Sequence, residues 1–417
     1  MVDLETTGLA DDPDAEILEF GIVLLDAGTS EVTTLQALVR PSRPLPRAIE
    51  RLTGLADADV ADAPLLGDLV AAISEALDGR SIVAHNAAFE RAFLGRFVSP
   101  GLDGVPYLDT QDLLALTHPD APDLRLESFT RSLLGSEEHH RALSDALDTA
   151  RVLSRVALGA RRGEARYQVA RRALERYAPE SPWSSLLGKE LVSARAPAPL
   201  HFLEVQPSEE ERVPFDEDAI AAALADAGRG ARYFPGYRVR AEQIELSRHF
   251  VRHLSRGGTL LLEGGTGVGK SLAYLAAAIP FAMERASQAD FQPILISTRT
   301  KLLQDQLLRK DIAATARFLG HDDLRAISIK GRANYVCARR IGAVLEEGRE
   351  PRIFAEDRLA YAALAACAGT RPYGEVGALP AALLRRYPAL RDLVRRAVAA
   401  RAEQCSREEC AKQRDCS

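Results

Sequence analysis

The chain has 417 residues, 47% hydrophobic and 27% charged, which gives room for roughly two or three globular domains and excludes a disordered or fibrous protein. No apolar run approaches the ~20 residues of a membrane span, and no basic stretch followed by an apolar one opens the chain, so a cytoplasmic protein with no membrane partner is expected. The net charge of -6 hides an asymmetry: residues 1–150 carry 27 acids and 10 bases, net -17, which leaves +11 for the rest and makes a nucleic-acid partner plausible for the basic part.

Met1–Gly8 reads MVDLETTG. Asp3 and Glu5 lie two apart in a predicted strand, so both carboxylates face one side and suit a divalent cation. Glu16–Leu25 and Val32–Val39 read as further strands, and Ala71–Leu77 as a helix leading into the apolar Ser81–Ala84, an α/β alternation. HNAAFERAFL follows at His85–Leu94, and HHRALSDALDTARVL at His139–Leu153, where Asp145 opens a helical apolar pattern. Taken singly, Asp3 with Glu5 also fits a solvated strand end, and His139 with His140 a polar loop.

Together these stretches resemble the DEDDh group of DnaQ-like 3′-to-5′ exonucleases, over residues 1–157. The group's motif D-x-E-T-T-G falls on Asp3 and Glu5, H-N-x-x-F-D on His85–Glu90, and H-x-x-x-x-D on His140 and Asp145. The resemblance implies a ribonuclease-H-like fold in which Asp3, Glu5, Glu90 and Asp145 hold Mg²⁺ or Mn²⁺ and His140 is the general base. Two metals about 4 Å apart can activate a water and stabilise a leaving 3′ oxygen, while a neutral His takes the proton. This sequence departs from the pattern twice: Glu90 stands where the group has Asp, and only Met1 and Val2 precede Asp3, which leaves a short first strand.

Helical spacing runs from Arg151 to Tyr177 and breaks after Pro179; the junction between domains is expected near Pro197 and Pro199. Trp183 reads as a packing residue, and FDEDAIAAAL from Phe215 as exposed linker leading into a short helix.

At Thr259–Ser271 the chain reads TLLLEGGTGVGKS, an apolar run ending in the phosphate-loop pattern G-x-x-x-x-G-K-[ST]. Gly264, Gly265, Thr266, Gly267, Val268 and Gly269 would present backbone N–H groups to a triphosphate, Lys270 a point charge to its β- and γ-phosphates, and Ser271 a hydroxyl to Mg²⁺; the helical SLAYLAAAIPFAM follows. With STRTKLLQDQLL at 297–308, the stretch from 215 to 417 resembles the DinG and XPD group of superfamily 2 DNA helicases. That resemblance implies ATP as cofactor, Arg240 and Gln243 as adenine-reading residues, and a DNA strand along 297–308.

Five cysteines, at 337, 367, 405, 410 and 416, fit a reduced compartment and a metal site better than a disulfide framework. By the same resemblance Cys337, Cys405, Cys410 and Cys416 are the ligands of a [4Fe-4S] cluster, and Cys367 is left over and buried; a zinc site uses similar spacings and stays open. Residues 385–414 hold nine Arg or Lys against four acids, which suits phosphate contacts.

The resulting expectation is an α/β chain: a ribonuclease-H-like exonuclease domain at 1–157, a helical extension and linker at 158–214, the N-terminal part of a RecA-like motor domain at 215–332, and a helical iron–sulfur insertion at 333–417. The expected function combines 3′-5′ exonuclease with ATP-dependent 5′-3′ helicase activity on DNA, single-stranded or with a 3′ end. No acidic DEAH-type motif follows the phosphate loop, so the sequence reads as a fragment. The alternative is a nucleic-acid- and ATP-binding module with a degenerate nuclease.

Overall fold

The computed structural model describes residues 1–26, 31–98, 102, 104–137, 140–188, 202–265, 267–286, 293–350, 352–370, 374–377 and 379–398. Contacts divide the chain into two units, one formed by 1–197 with 332–417 and the other by 198–331.

In the first unit, β1 (Val2–Thr6), β2 (Ile17–Leu25) and β3 (Val32–Leu38) form an antiparallel sheet in that order, with Asp3 opposite Gly21 and Glu5 opposite Glu19. In β1, Val2, Leu4 and Thr6 are buried while Asp3 and Glu5 face the other side, half-buried, as the two-residue period requires. Nearly all of β2 is buried, which means that both its faces are covered. Helix α1 (Leu66–Leu77) leads into β4 (Ile82–Ala84), helix α2 (Ala87–Phe97) follows, and β5 (Tyr107–Asp109) pairs in parallel with β4 and runs into α3 (Thr110–Thr117). Strand and α1–α2 residues such as Leu4, Ile17, Phe20, Ile73, Ile82 and Phe93 form one core.

The helical stretch expected at 151–177 is two helices, α4 (Ala142–Arg161) and α5 (Ala165–Tyr177). Gly163 adopts a left-handed φ of 75° between them, and the buried Gln168 side chain donates to the Ala160 carbonyl at the end of α4. After the second unit the chain returns as α9 (Ala338–Glu347), α10 (Ala355–Thr370), α11 (Ala381–Arg386) and α12 (Leu390–Ala397), with a turn at Tyr387–Pro388 separating the last two. These helices do not form a core of their own. Leu364, Cys367, Leu390 and Leu393 bury into the same cluster as Leu113, Val156, Tyr167, Leu174 and Trp183. Helix α10 is buried at Ala360–Leu364, on consecutive positions, so it is covered on every side there.

The second unit holds α6 (Glu217–Ala225), α7 (Ala241–Arg256) and α8 (Lys270–Ala286) around Ile220, Leu224, Val251, Leu275 and Phe318. Asp216 caps α6 by accepting from the Asp218 and Ala219 N–H groups. Among the described residues this unit contains no assigned strand. The apolar run at 259–263 has no assigned strand, with Leu261 91% exposed, and Leu295 and Ile329 are 88% and 74% exposed. No described helix is long and apolar enough to cross a membrane.

Candidate metal centre

One carboxylate oxygen from each of Asp3, Glu5 and Asp145 lies within 4.8 Å of the others, the one such group of potential ligands among the described residues. Asp3 and Glu5 come from the outward face of β1, and Asp145 from the first turn of α4. Three hard oxygen donors at this spacing suit Mg²⁺ or Mn²⁺.

Buried polar chemistry brings α4 to β1. Glu19, fully buried on β2 opposite Glu5, accepts from Arg141 Nε at 2.9 Å and Nη2 at 2.8 Å, from the Ala142 N–H at 3.3 Å and from Gln36 Nε2 at 2.5 Å. Burial raises the Glu19 carboxyl, but the Arg141 and Gln36 hydrogen bonds outweigh it and hold the group below the ordinary Glu range. Gly21 lets the helix approach: a Cβ there would sit 2.1 Å from the Leu143 nitrogen and 2.2 Å from the Ala142 carbonyl carbon. The Glu19 clamp thus fixes the N-terminus of α4, and with it Asp145. His140, just before Arg141, has a left-handed φ of 50°, uncommon for a residue with a side chain.

Glu90 is not within the group of three. It lies in the first turn of α2, 2% exposed, with Oε2 lacking a hydrogen-bond partner among the described residues. Burial, aided by the Asp109 charge, pushes its carboxyl up to about 8. The His85–Asn86 pair is held structurally. His85 Nε2 donates to the Leu124 carbonyl at 2.6 Å, so Nδ1 accepts from the Thr110 hydroxyl at 2.9 Å, and burial keeps the ring below the ordinary His value. Asn86, at a φ of 78°, donates its N–H to Asp109 Oδ1 at 3.1 Å.

In the second unit the phosphate loop meets α7. The buried Gln243 donates Nε2 to the Gly269 carbonyl at 2.9 Å, and Arg240 donates to the Gly267 carbonyl. Gly267 and Gly269 have φ of 82° and 83°, and a Cβ on Gly269 would lie 2.0 Å from Gln243 Nε2. Lys270 opens α8 and donates to the Gly264 and Gly265 carbonyls at 2.9 and 2.8 Å, folded onto its own loop. Val268 and Ser271 flank these residues half-buried, and Thr266 lies outside the described residues.

Cys337 precedes α9, and its N–H donates to the Ala397 carbonyl at 2.8 Å beside an antiparallel bridge between Val336 and Val398. Cys367 is fully buried in the core. Cys405, Cys410 and Cys416 lie outside the described residues.

The first unit is thus a mixed α/β body in which three carboxylates converge at a spacing that could hold a metal ion. An exonuclease domain occupies the N-terminal residues: 1–153 match the RNase_T model, described as Exonuclease. The 3′-5′ exonuclease DinG of Bacillus subtilis (strain 168) is 25% identical over 364 residues, 83% of this chain and 38% of that protein. The ATP-dependent DNA helicase YoaA of Haemophilus influenzae is 36% identical over 132 residues, 32% of this chain and 19% of that protein. Among solved structures, exonuclease X in complex with 5′ overhanging duplex DNA is 26% identical, covering 36% of this chain and 86% of that one, with a TM-score of 0.29. This chain thus spans 38% of the length of the B. subtilis relative.

The sequence did not flag Glu19, Gly21, Arg141 or Asp109 as parts of the site. A Glu inside the apolar β2 run was the one visible signal, because a buried acid needs a partner.

Proposed function

We propose that this chain belongs to a DNA-processing hydrolase whose first unit removes nucleotides from 3′ ends with Mg²⁺ or Mn²⁺. The observation that carries this reading is the convergence of Asp3, Glu5 and Asp145. These three hold the metal, with Glu90 as a fourth acid, and the bound metal supplies an activated water and charge stabilisation at the leaving oxygen. The Glu19 clamp keeps Asp145 aimed at the pair on β1. His140, on the loop that Arg141 anchors, takes the proton of the attacking water.

The 198–331 unit supplies ATP binding through Gly264–Ser271, with Arg240 and Gln243 shaping the loop, as the N-terminal part of a RecA-like motor. The complete protein is then a 5′-3′ helicase. The cysteines form a [4Fe-4S] site. Support comes from the antiparallel bridge that brings Val398 to Val336, the residue before Cys337. We keep the boundaries 1–157, 158–214, 215–332 and 333–417 for these functional parts, and DNA with a free 3′ end as the partner.

A 3′-labelled or 5′-labelled single strand incubated with Mn²⁺ tests the nuclease: shortening from the 3′ end is expected and is absent in Asp3→Ala. One observation favours a second reading, a nucleic-acid-binding module with an inactive nuclease, namely that Glu90 stands outside the group of three and is buried. No shortening by the parent chain with Mn²⁺ would establish that reading instead.

A further inference from the structure

The cysteine-bearing helices place two charged or polar side chains against the nuclease domain. Arg386, the last residue of α11, pairs through Nη2 with Asp109 Oδ2 at 3.0 Å and donates Nε to Asp112 Oδ1 at 2.8 Å. Tyr387, 5% exposed, donates its hydroxyl to the same Asp112 oxygen at 2.9 Å. Asp109 is itself 8% exposed and has no spare flexibility: its Oδ1 accepts from the Gln111 N–H at 2.9 Å, capping α3, and from the Asn86 N–H at 3.1 Å. Asn86 is the left-handed residue from which α2 starts, and Glu90 follows one helical turn later.

We propose that Arg386 is a positioning residue for the metal centre. Reaching in from the helical segment, it fixes Asp109, and Asp109 fixes the Asn86 turn that aims α2 and Glu90. Two features separate this from simple docking. The guanidinium spends one arm on Asp109, whose other oxygen already orders the nuclease backbone, whereas the Tyr387 hydroxyl bonds to Asp112 and its ring packs in the core. A buried Asp109 without its cation would also face Glu90 as an uncompensated charge, and the Asn86 turn would move to relieve it. The nuclease domain therefore depends on a residue far outside the matched residues 1–153. This inference rests on the metal-site reading given above.

The test uses the full 417-residue chain. Mn²⁺ binding is followed by electron paramagnetic resonance of the free ion, alongside the thermal midpoint and the kcat and KM for 3′ shortening of a labelled strand. Arg386→Gln is expected to weaken Mn²⁺ binding on the order of 10- to 100-fold, as for other groups that orient a metal ligand, and to lower kcat with KM unchanged. Arg386→Lys, which keeps the charge but not the fork, should recover part of the loss. Tyr387→Phe should lower the thermal midpoint and leave Mn²⁺ binding intact. If Arg386→Gln does not fold, Asp109→Asn takes its place, with the same weakening expected. Unchanged Mn²⁺ binding in the folded variant, or an equal loss in Tyr387→Phe, would overturn the proposal. A parent chain that binds Mn²⁺ but does not cleave sinks the nuclease reading alone, since the binding comparison still decides the role of Arg386.

Discussion

Where Asp3, Glu5 and Asp145 converge, each acid sits on an element pinned by other buried groups: β1 by its sheet, α4 by the Glu19 clamp and the close approach at Gly21. In the loop at 264–271 the pinning among the described residues comes from Gln243 and Arg240 at the start of α7, and the chain entering the loop has no assigned strand. The difference follows from what each site is made of. Carboxylates can be positioned by local side-chain contacts, and a short sheet suffices. A loop of backbone N–H groups is positioned by the strand and helix that it joins, and here the helix alone is packed. Lys270 accordingly folds back on the carbonyls of Gly264 and Gly265.

The largest expected effect strikes the metal centre itself. Asp145→Ala removes one of three converging ligands, and a metal contributes several kcal/mol of transition-state stabilisation, so 3′ shortening should fall on the order of 10³-fold. Single-turnover rates at saturating strand measure this. A fall below tenfold would mean that the three acids do not form the working site.

Next comes the pinning. Gly21→Ala has no room for its methyl and must push α4 away from β2; a displacement of about 1 Å can cost on the order of 10²-fold in rate. Arg141→Ala leaves the fully buried Glu19 without its cation and should cost about 3 kcal/mol by urea denaturation, the low end for a broken buried pair because Arg141 is partly exposed. Neither change touches a carboxylate of the site. If both leave rate and stability unchanged, the contrast between a pinned and an unpinned site fails.

How much of this was legible in the sequence follows from the range of each interaction. Asp3 and Glu5 were legible because a two-residue period decides their common face, and α8 because a phosphate loop announces the helix after it. The break at Gly163 was written in a glycine but masked by helical spacing on both sides. The Glu19–Arg141 pair spans 122 positions and Arg386–Asp112 spans 274, and no local pattern encodes which distant cation meets a buried acid. For the same reason the sequence places the cysteine-bearing helices in a separate insertion, while the structure packs them on α3 and α5.

Glu90 sharpens the contrast within the metal centre, since it is the one candidate acid that is buried and outside the group of three. Its folded value, about 8, lies above the ordinary Glu value of 4.5. The protonated carboxyl is therefore tolerated in the fold, and stability present below about pH 4.5 is lost as pH rises through 8. In metal-free protein the loss between pH 5 and pH 8 should be roughly 4 kcal/mol, and Glu90→Gln should flatten it. Denaturation in a chelator at pH 5 and pH 8 reads this directly. A parent chain equally stable at both values would place Glu90 in water rather than in the core.

The smallest effect is expected at the phosphate loop. Gln243 is 4% exposed and donates to the carbonyl of Gly269, a residue that only glycine suits because its φ is 83° and a Cβ would strike the amide. Gln243→Ala deletes that hydrogen bond and leaves a cavity, yet the freed carbonyl sits in a half-exposed loop where water can reach it, so the cost should be about 1 kcal/mol. Because the lost contact orders the loop and does not touch phosphate, the same change should weaken ATP binding only about fivefold, the equivalent of that energy. Lys270→Ala, by contrast, removes the cation that the proposed ATP site would use and should weaken binding by more than tenfold. Isothermal titration with ATP separates the two. If Gln243→Ala weakened binding as much as Lys270→Ala, the side chain would be reading the nucleotide itself, and the loop would depend on α7 far less than its hydrogen bonds indicate.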